Sequence, residues 1–159
     1  MPDNVWRAVE ISAADTYPLR VVVLRAGTPT TDVRFHEDDW PGAFHLGIFD
    51  DGTLVGTSTW IPRECAGRAE VAAVQLRGMA TLTSHHGRGV GSALIAAGIA
   101  RAAHGGAQFV WANARDTALG FYLAHGFTVD GDIDGDGFVD AVTGLPHHRV
   151  VSADFRSVT

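Results

Sequence analysis

A single cysteine, Cys65, is the only thiol in this 159-residue chain, so no disulfide can form within it. No apolar run approaches the roughly 20 residues that span a bilayer. The opening residues, MPDNVWRAVE, lack the basic, apolar and small-residue succession of a secretion signal. A cytoplasmic protein with no membrane partner is expected. Cations are also scarce: 12 Lys and Arg stand against 18 Asp and Glu, a net charge of −6. That balance argues against a nucleic-acid partner, which needs clustered Lys and Arg to neutralise phosphates, and suits a cationic or neutral substrate. Repeats, low-complexity tracts and linkers are absent, and the length fits one domain over residues 1–159. Two familiar glycine loops are missing as well. There is no G-x-x-x-x-G-K-S/T, and Leu94 stands where the third glycine of G-x-G-x-x-G would fall.

What is present has the composition of a soluble globular protein, 46% hydrophobic and 19% charged. The organising stretch is 75–101. An apolar run, 74–82, passes through a polar turn, 83–86, to Gly87, Gly89 and Gly91, then to an alanine-rich segment, 92–103. That order reads as strand, glycine loop and helix. A helix start has N–H groups without intrahelical partners and the positive end of the dipole, so it suits an anion, a pyrophosphate above all. Glycines let such a ligand approach the main chain. The competing reading of the loop alone is that Gly89 and Gly91 serve only a turn and close packing.

Around this stretch, 5–11 reads as a strand and 19–27 as a helix. Asp15 or Thr16 would cap that helix, Pro18 would sit in its first turn, and Leu19, Val22 and Val23 would share a face. Residues 27–42 read as a loop whose cluster His36, Glu37, Asp38 and Asp39 has the chemistry to hold a metal or a cationic substrate, although a solvated acidic loop is the expectation. Segments 43–49 and 54–61 flank an Asp-Asp-Gly turn as a hairpin. The helix over 90–103 is apolar on more than one face and is expected to be largely buried. A strand at 109–112 and a helix capped by Asp116 or Thr117 and closed by Gly126 follow. Strands at 128–132 and 149–155 complete the chain. The order βαβββαβαββ predicts an α/β (α+β) mixed sheet with helices on both faces.

Residues 86–94, HGRGVGSAL, resemble the coenzyme A pyrophosphate loop of the GNAT superfamily of acyl-CoA-dependent N-acyltransferases. Gly89 and Gly91 match its glycines, and His86 stands where Gln or Arg is usual. Residues 118–127, ALGFYLAHGF, resemble the superfamily's last motif through Ala118, Tyr122, Gly126 and Phe127. Arg115 replaces a frequent Asn, with Asn113 two residues earlier. The element order is also that of the GNAT fold, a mostly antiparallel central sheet flanked by helices. The resemblance implies an N-acetyltransferase that passes the acetyl group of acetyl-CoA directly to a primary amine of a small molecule or peptide, without a metal; a homodimer is left open. By the same resemblance His86, Gly87, Arg88, Gly89, Val90, Gly91 and Ser92 would hold the cofactor's pyrophosphate. Met79, Ala80 and Thr81 would run beside pantetheine, with Asn113 or Arg115 also meeting it. Tyr122 would be the acid. Some subgroups share Leu19, Arg20, Val23 and Leu24, His45, the run 77–80 (RGMA), and Pro146 with His147.

Acyl transfer from a thioester to an amine needs a neutral nitrogen, a donor for the oxyanion and an acid for the departing thiolate. A free thiol has a pKa near 8.5, so one hydroxyl suffices for the last task. Tyr122 competes with a purely structural role beside Phe121. Gln75 and Arg77 occupy positions where many relatives carry a carboxylate, leaving Glu64, Glu70, His45, His148 or a water chain as the base. Asp130, Asp132, Asp134 and Gly135 mimic the opening of a calcium loop, but its twelfth position is Ala141. A solvated turn is expected there. His85 with His86, and His147 with His148, complete no ligand set. Cys65 has no activating pattern around it. The alternative to an enzyme is a non-catalytic acyl-CoA-binding sensor or interaction module.

Overall fold

The computed structural model describes residues 5–130, 138–139 and 146–155. The strands are β1 (Val9–Ile11), β2 (Phe44–Asp50), β3 (Thr53–Pro62), β4 (Ala73–Thr81), β5 (Phe109–Arg115), β6 (Thr128–Val129), β7 (Phe138–Val139) and β8 (Pro146–Val151). The helices are α1 (Ala13–Leu24), α2 (Val90–His104) and α3 (Leu119–Ala124). The expected order holds, with β7 as an added strand. Most of the calcium-like loop, 131–137 and 140–141, lies outside the described residues.

The sheet runs β1-β2-β3-β4-β5-β8-β6, with β7 pairing on β8. Every pairing is antiparallel except β4 with β5. The hairpin of β2 and β3 closes through Asp51 (φ 51°) and Gly52 (φ 82°), the two positive values a type I′ turn requires. Alternation along β3 sends neighbouring side chains to opposite faces. Thr59 accepts a hydrogen bond from Arg20 of α1. A Cβ added to Gly98 of α2 would lie 1.8 Å from Trp60. The two helices therefore cover opposite faces. Among the described residues, no helix is long and apolar enough to cross a membrane.

Three local expectations fail. Helix α1 starts earlier than the pattern suggested: Ser12 caps it, accepting from the Asp15 N–H while Asp15 accepts from the Ser12 N–H, each at 3.1 Å. Pro18 then lies in the second turn. The buried residues of α1 are Thr16, Leu19 and Arg20, while Val22 is exposed. A charge sits inside because Asp38 meets it there. Helix α2 is also less buried than its apolarity implied. Only Val90, Leu94, Ile95, Gly98 and Ala102 are enclosed, since small alanines make an acceptable outer face. The short helix near Asp116 has no side-chain cap and begins as a 3₁₀ turn, Asp116–Ala118.

Candidate active site

The site begins with an irregularity in β4. Thr57 pairs with Ala80, yet Thr59 pairs with Arg77, so three steps on β4 oppose two on β3. Gly78 adopts φ 60° at this bulge. A Cβ there would come within 2.9 Å of the Phe35 ring, so glycine is required twice over. Pairing between β4 and β5 ends at Leu76 and Ala112. Beyond that point the two parallel strands diverge and leave the β5 side of β4 open.

A cavity of about 560 Å³ lies along this opening. Gln75, Arg77, Gly78 and Met79 of β4 form one wall, Asn113 and Arg115 of β5 another, and Tyr122 of α3 closes part of it. The segment after α1, including Phe35, His36 and Glu37, forms the far side. Tyr122 is 5% exposed, and its ring meets Phe121 and Phe127 edge-on at 5.5 and 5.4 Å. Burial pushes its pKa upward, so the phenol keeps its proton at any ordinary pH. Among the described residues its hydroxyl has no hydrogen-bond partner.

The glycine loop stands exposed at the start of α2. Gly89 is the N-cap, with φ 86°. Among the described residues, no backbone N–H from Gly87 to Ser92 donates to a carbonyl, and the first helical bond runs from Ala93 to Gly89 at 3.0 Å. This row of free donors is what an oxyanion needs. The side chains, by contrast, face the protein. Val90 is buried against Gly56. His86 Nε2 donates to the Thr81 carbonyl at 3.0 Å. His125 donates from Nδ1 to the Phe121 carbonyl, so its Nε2 accepts from Ser92 Oγ at 2.7 Å.

Remote contacts clamp the loop. Trp6 Nε1 donates to the Arg88 carbonyl at 2.7 Å, with the Arg88 guanidinium over the Trp6 ring. His85 donates to Asp50 and accepts from Ser84 at 2.7 and 2.8 Å, and its ring packs edge-on against Trp6.

In the cluster at 36–39, His36 and Asp39 are exposed as expected, but Glu37 and Asp38 correct the expectation of a solvated loop. Glu37 and Asp38 are 6% and 5% exposed. Arg20 holds Asp38 through both carboxylate oxygens at 2.9 and 3.0 Å, and also donates to Thr59 and the Val33 carbonyl. Burial opposes the Asp38 charge, but the Arg20 bonds and the Phe35 N–H outweigh it and leave the pKa below 3.8. His45 joins this network through Thr59 at 2.8 Å and the Asp38 carbonyl at 3.1 Å, which makes it structural. Glu37 Oε2 accepts from Arg77 and lies 3.4 Å from Arg63.

The profile of the acetyltransferase (GNAT) family matches residues 8–127. The chain belongs to the GNAT acetyltransferase family. YitI of Bacillus subtilis strain 168, an uncharacterized N-acetyltransferase, is 38% identical over 117 residues, covering 74% of this chain and 78% of its own. Among solved structures, an acyl-CoA N-acyltransferase from Pseudomonas aeruginosa superposes with a TM-score of 0.68 at 19% identity, covering 94% of this chain and all of its own. Escherichia coli ElaA gives 0.67 at 18%, covering 93% and 98%. These two show the fold.

Within this GNAT fold, the cavity gathers Met79, Asn113 and Tyr122 from three separate elements. Ala80 and Thr81 continue β4 opposite Thr57 and Gly56 without lining the cavity. Neither do the base candidates Glu64, Glu70, His45 and His148. His148 instead reaches Asp116 at 2.8 Å. The sequence placed Glu37 only in a cluster expected to be solvated, and gave no sign of Arg63. Trp40, over which Arg63 stacks at 4.7 Å, was the one hint that this loop packs inward. Cys65 is buried and 1% exposed, in keeping with a passive role. Among the described residues, no group of three or more metal-ligating side chains occurs.

Proposed function

We propose that this GNAT protein transfers the acetyl group of acetyl-CoA directly to a primary amine. Supporting this is the continuity of three features: free N–H groups at the mouth of α2, an open strand edge past Leu76, and an unpartnered phenol at its end. Gly87 and Gly89 leave room for a diphosphate at the main chain, whereas Gly91 serves close packing, since a Cβ there would come within 2.9 Å of the Phe121 ring. The edge of β4 from Met79 to Thr81 would receive the pantetheine arm, with Asn113 opposite. A main-chain N–H at the bulge would stabilise the oxyanion, and Tyr122 would protonate the departing sulfur.

The proton acceptor we assign is Glu37. Its Oε2 is taken by the arginines, whereas Oε1 has no hydrogen-bond partner among the described residues. It would accept the ammonium proton directly or through one water. The acceptor is then a small molecule or the end of a peptide, able to enter a cavity of about 560 Å³.

The test is incubation with acetyl-CoA and a broad amine panel while free thiol is measured. Release above hydrolysis is expected for at least one class among small amines, polyamines, amino acids and peptides. Thermal stabilisation by acetyl-CoA with no turnover on any of them would select the binding-module reading instead.

The loop has its own test. A Cβ at Gly89 would touch only Trp6, at 3.9 Å, so Gly89→Ala acts through backbone conformation alone. Its positive φ becomes strained by roughly 1–2 kcal/mol. Acetyl-CoA affinity by calorimetry is expected to fall at least about tenfold, given the loss of phosphate-directed N–H groups. Unchanged affinity would remove the diphosphate from this loop.

A further inference from the structure

The chain carries a net charge of −6, yet the described residues lining the cavity include five arginines against two carboxylates, Asp32 and Glu37. The centre of this reversal is the trio Arg63, Glu37 and Arg77. Two guanidiniums share one carboxylate oxygen, so the trio keeps one formal positive charge. Arg77 is also underused. Its Nη1 donates to Glu37, and among the described residues Nε and Nη2 donate to nothing. Its plane is fixed over the Phe35 ring at 4.1 Å, and its side chain is 33% exposed. Arg63 is held in turn by Gln75 Oε1 at 3.0 Å and by Trp40. A guanidinium locked by stacking, with a free donor edge facing a cavity, is prepared for an oxyanion.

We infer that the acceptor amine also bears a carboxylate or phosphate, which Arg77 binds with Arg63 beside it. The inference rests on the transferase reading. None of Gly87 to Ser92 lines this cavity, so these arginines are separate from the loop assigned to the diphosphate. Arg77, Gly78 and Met79 are consecutive, so an anion on Arg77 leaves a nearby amine beside the bulge. Glu37 lines the same cavity with Oε1 left over by the arginines, so an anion site and a cation site lie together and match a compact zwitterion.

The test compares matched acceptors with the full-length protein and acetyl-CoA: amino acids against their amides, and O-phosphoethanolamine against ethanolamine. The two sets separate carboxylate from phosphate. The anionic member is expected to be preferred by about 10- to 100-fold in kcat/KM, carried mainly by KM. Arg77→Gln should abolish that preference by raising KM for the anionic member, Arg77→Lys should restore part of it, and Arg63→Gln should weaken it. Equal or better use of the uncharged members would overturn the inference and leave the transferase reading standing. If no amine is consumed, that reading fails, and calorimetric titration with N-acetyl amino acids against their amides decides the anion site. Tighter binding of the acid, lost in Arg77→Gln, supports the site, and equal binding overturns it.

Discussion

Tyr122→Phe is expected to lower kcat by about 10²- to 10³-fold, the usual scale for removing a general acid. KM for acetyl-CoA should barely move, because the diphosphate is assigned to the glycine loop. The substitution isolates the hydroxyl cleanly. The ring's edge-on contacts with Phe121 and Phe127 survive in phenylalanine, and the lost hydroxyl has no partner among the described residues. Melting temperature should therefore stay within a few degrees, corresponding to about 1 kcal/mol or less. Turnover within threefold of the parent would show that the thiolate leaves without help from Tyr122. A matching fall in melting temperature would instead show that the residue serves packing.

Asp38→Asn should lower stability severely. It leaves the fully buried Arg20 guanidinium without its counter-charge. Breaking one side of such a pair costs about 3–5 kcal/mol. For a chain of this size that corresponds to roughly 6–20 °C in melting temperature. The double variant Arg20→Met with Asp38→Leu should recover much of the loss, because removing both charges also removes their desolvation cost. The sign of the pH effect follows from the depressed Asp38 pKa. Ionised Asp38 contributes its full stabilisation above the ordinary value of 3.8 and loses it as pH falls through the lower folded value. Thermal melts of the parent should thus decline below about pH 4, and that part of the decline should be absent in Asp38→Asn. An identical acid limb in both proteins would remove Asp38 from the account.

The two changes probe different layers, and those layers differed in how readily the sequence revealed them. The glycine loop and the α3 motif are local patterns. Three glycines before an alanine-rich helix, and Tyr122 four residues before Gly126, carry their meaning in their spacing. The succession of strands and helices along the chain was legible for the same reason, since apolar runs broken by Asp-Gly or paired glycines mark their own ends. The bulge at Gly78 was harder. Arg77 to Ala80 reads as ordinary strand until β3 supplies a partner that is one residue short.

Buried ion pairs were not legible at all. Glu37 and Asp38 look like solvated loop residues because acidic runs between prolines usually are, and Arg20 looks like the polar face of its helix. Each becomes internal only when its partner arrives from another element: Arg20 from α1, Arg77 from β4, and Arg63 from the segment after β3. Burial of a charge depends on the distance to its counter-charge, and that distance exists only after the sheet has formed.

The amino-acid order alone determined the succession of elements, the anion-competent helix start and the position of the phenol, because each follows from short-range spacing and backbone preference. Tertiary packing decided which carboxylate faces the cavity and which guanidinium keeps free donors. Those outcomes depend on contacts between residues tens of positions apart, where pairing and desolvation compete and sequence distance carries no information.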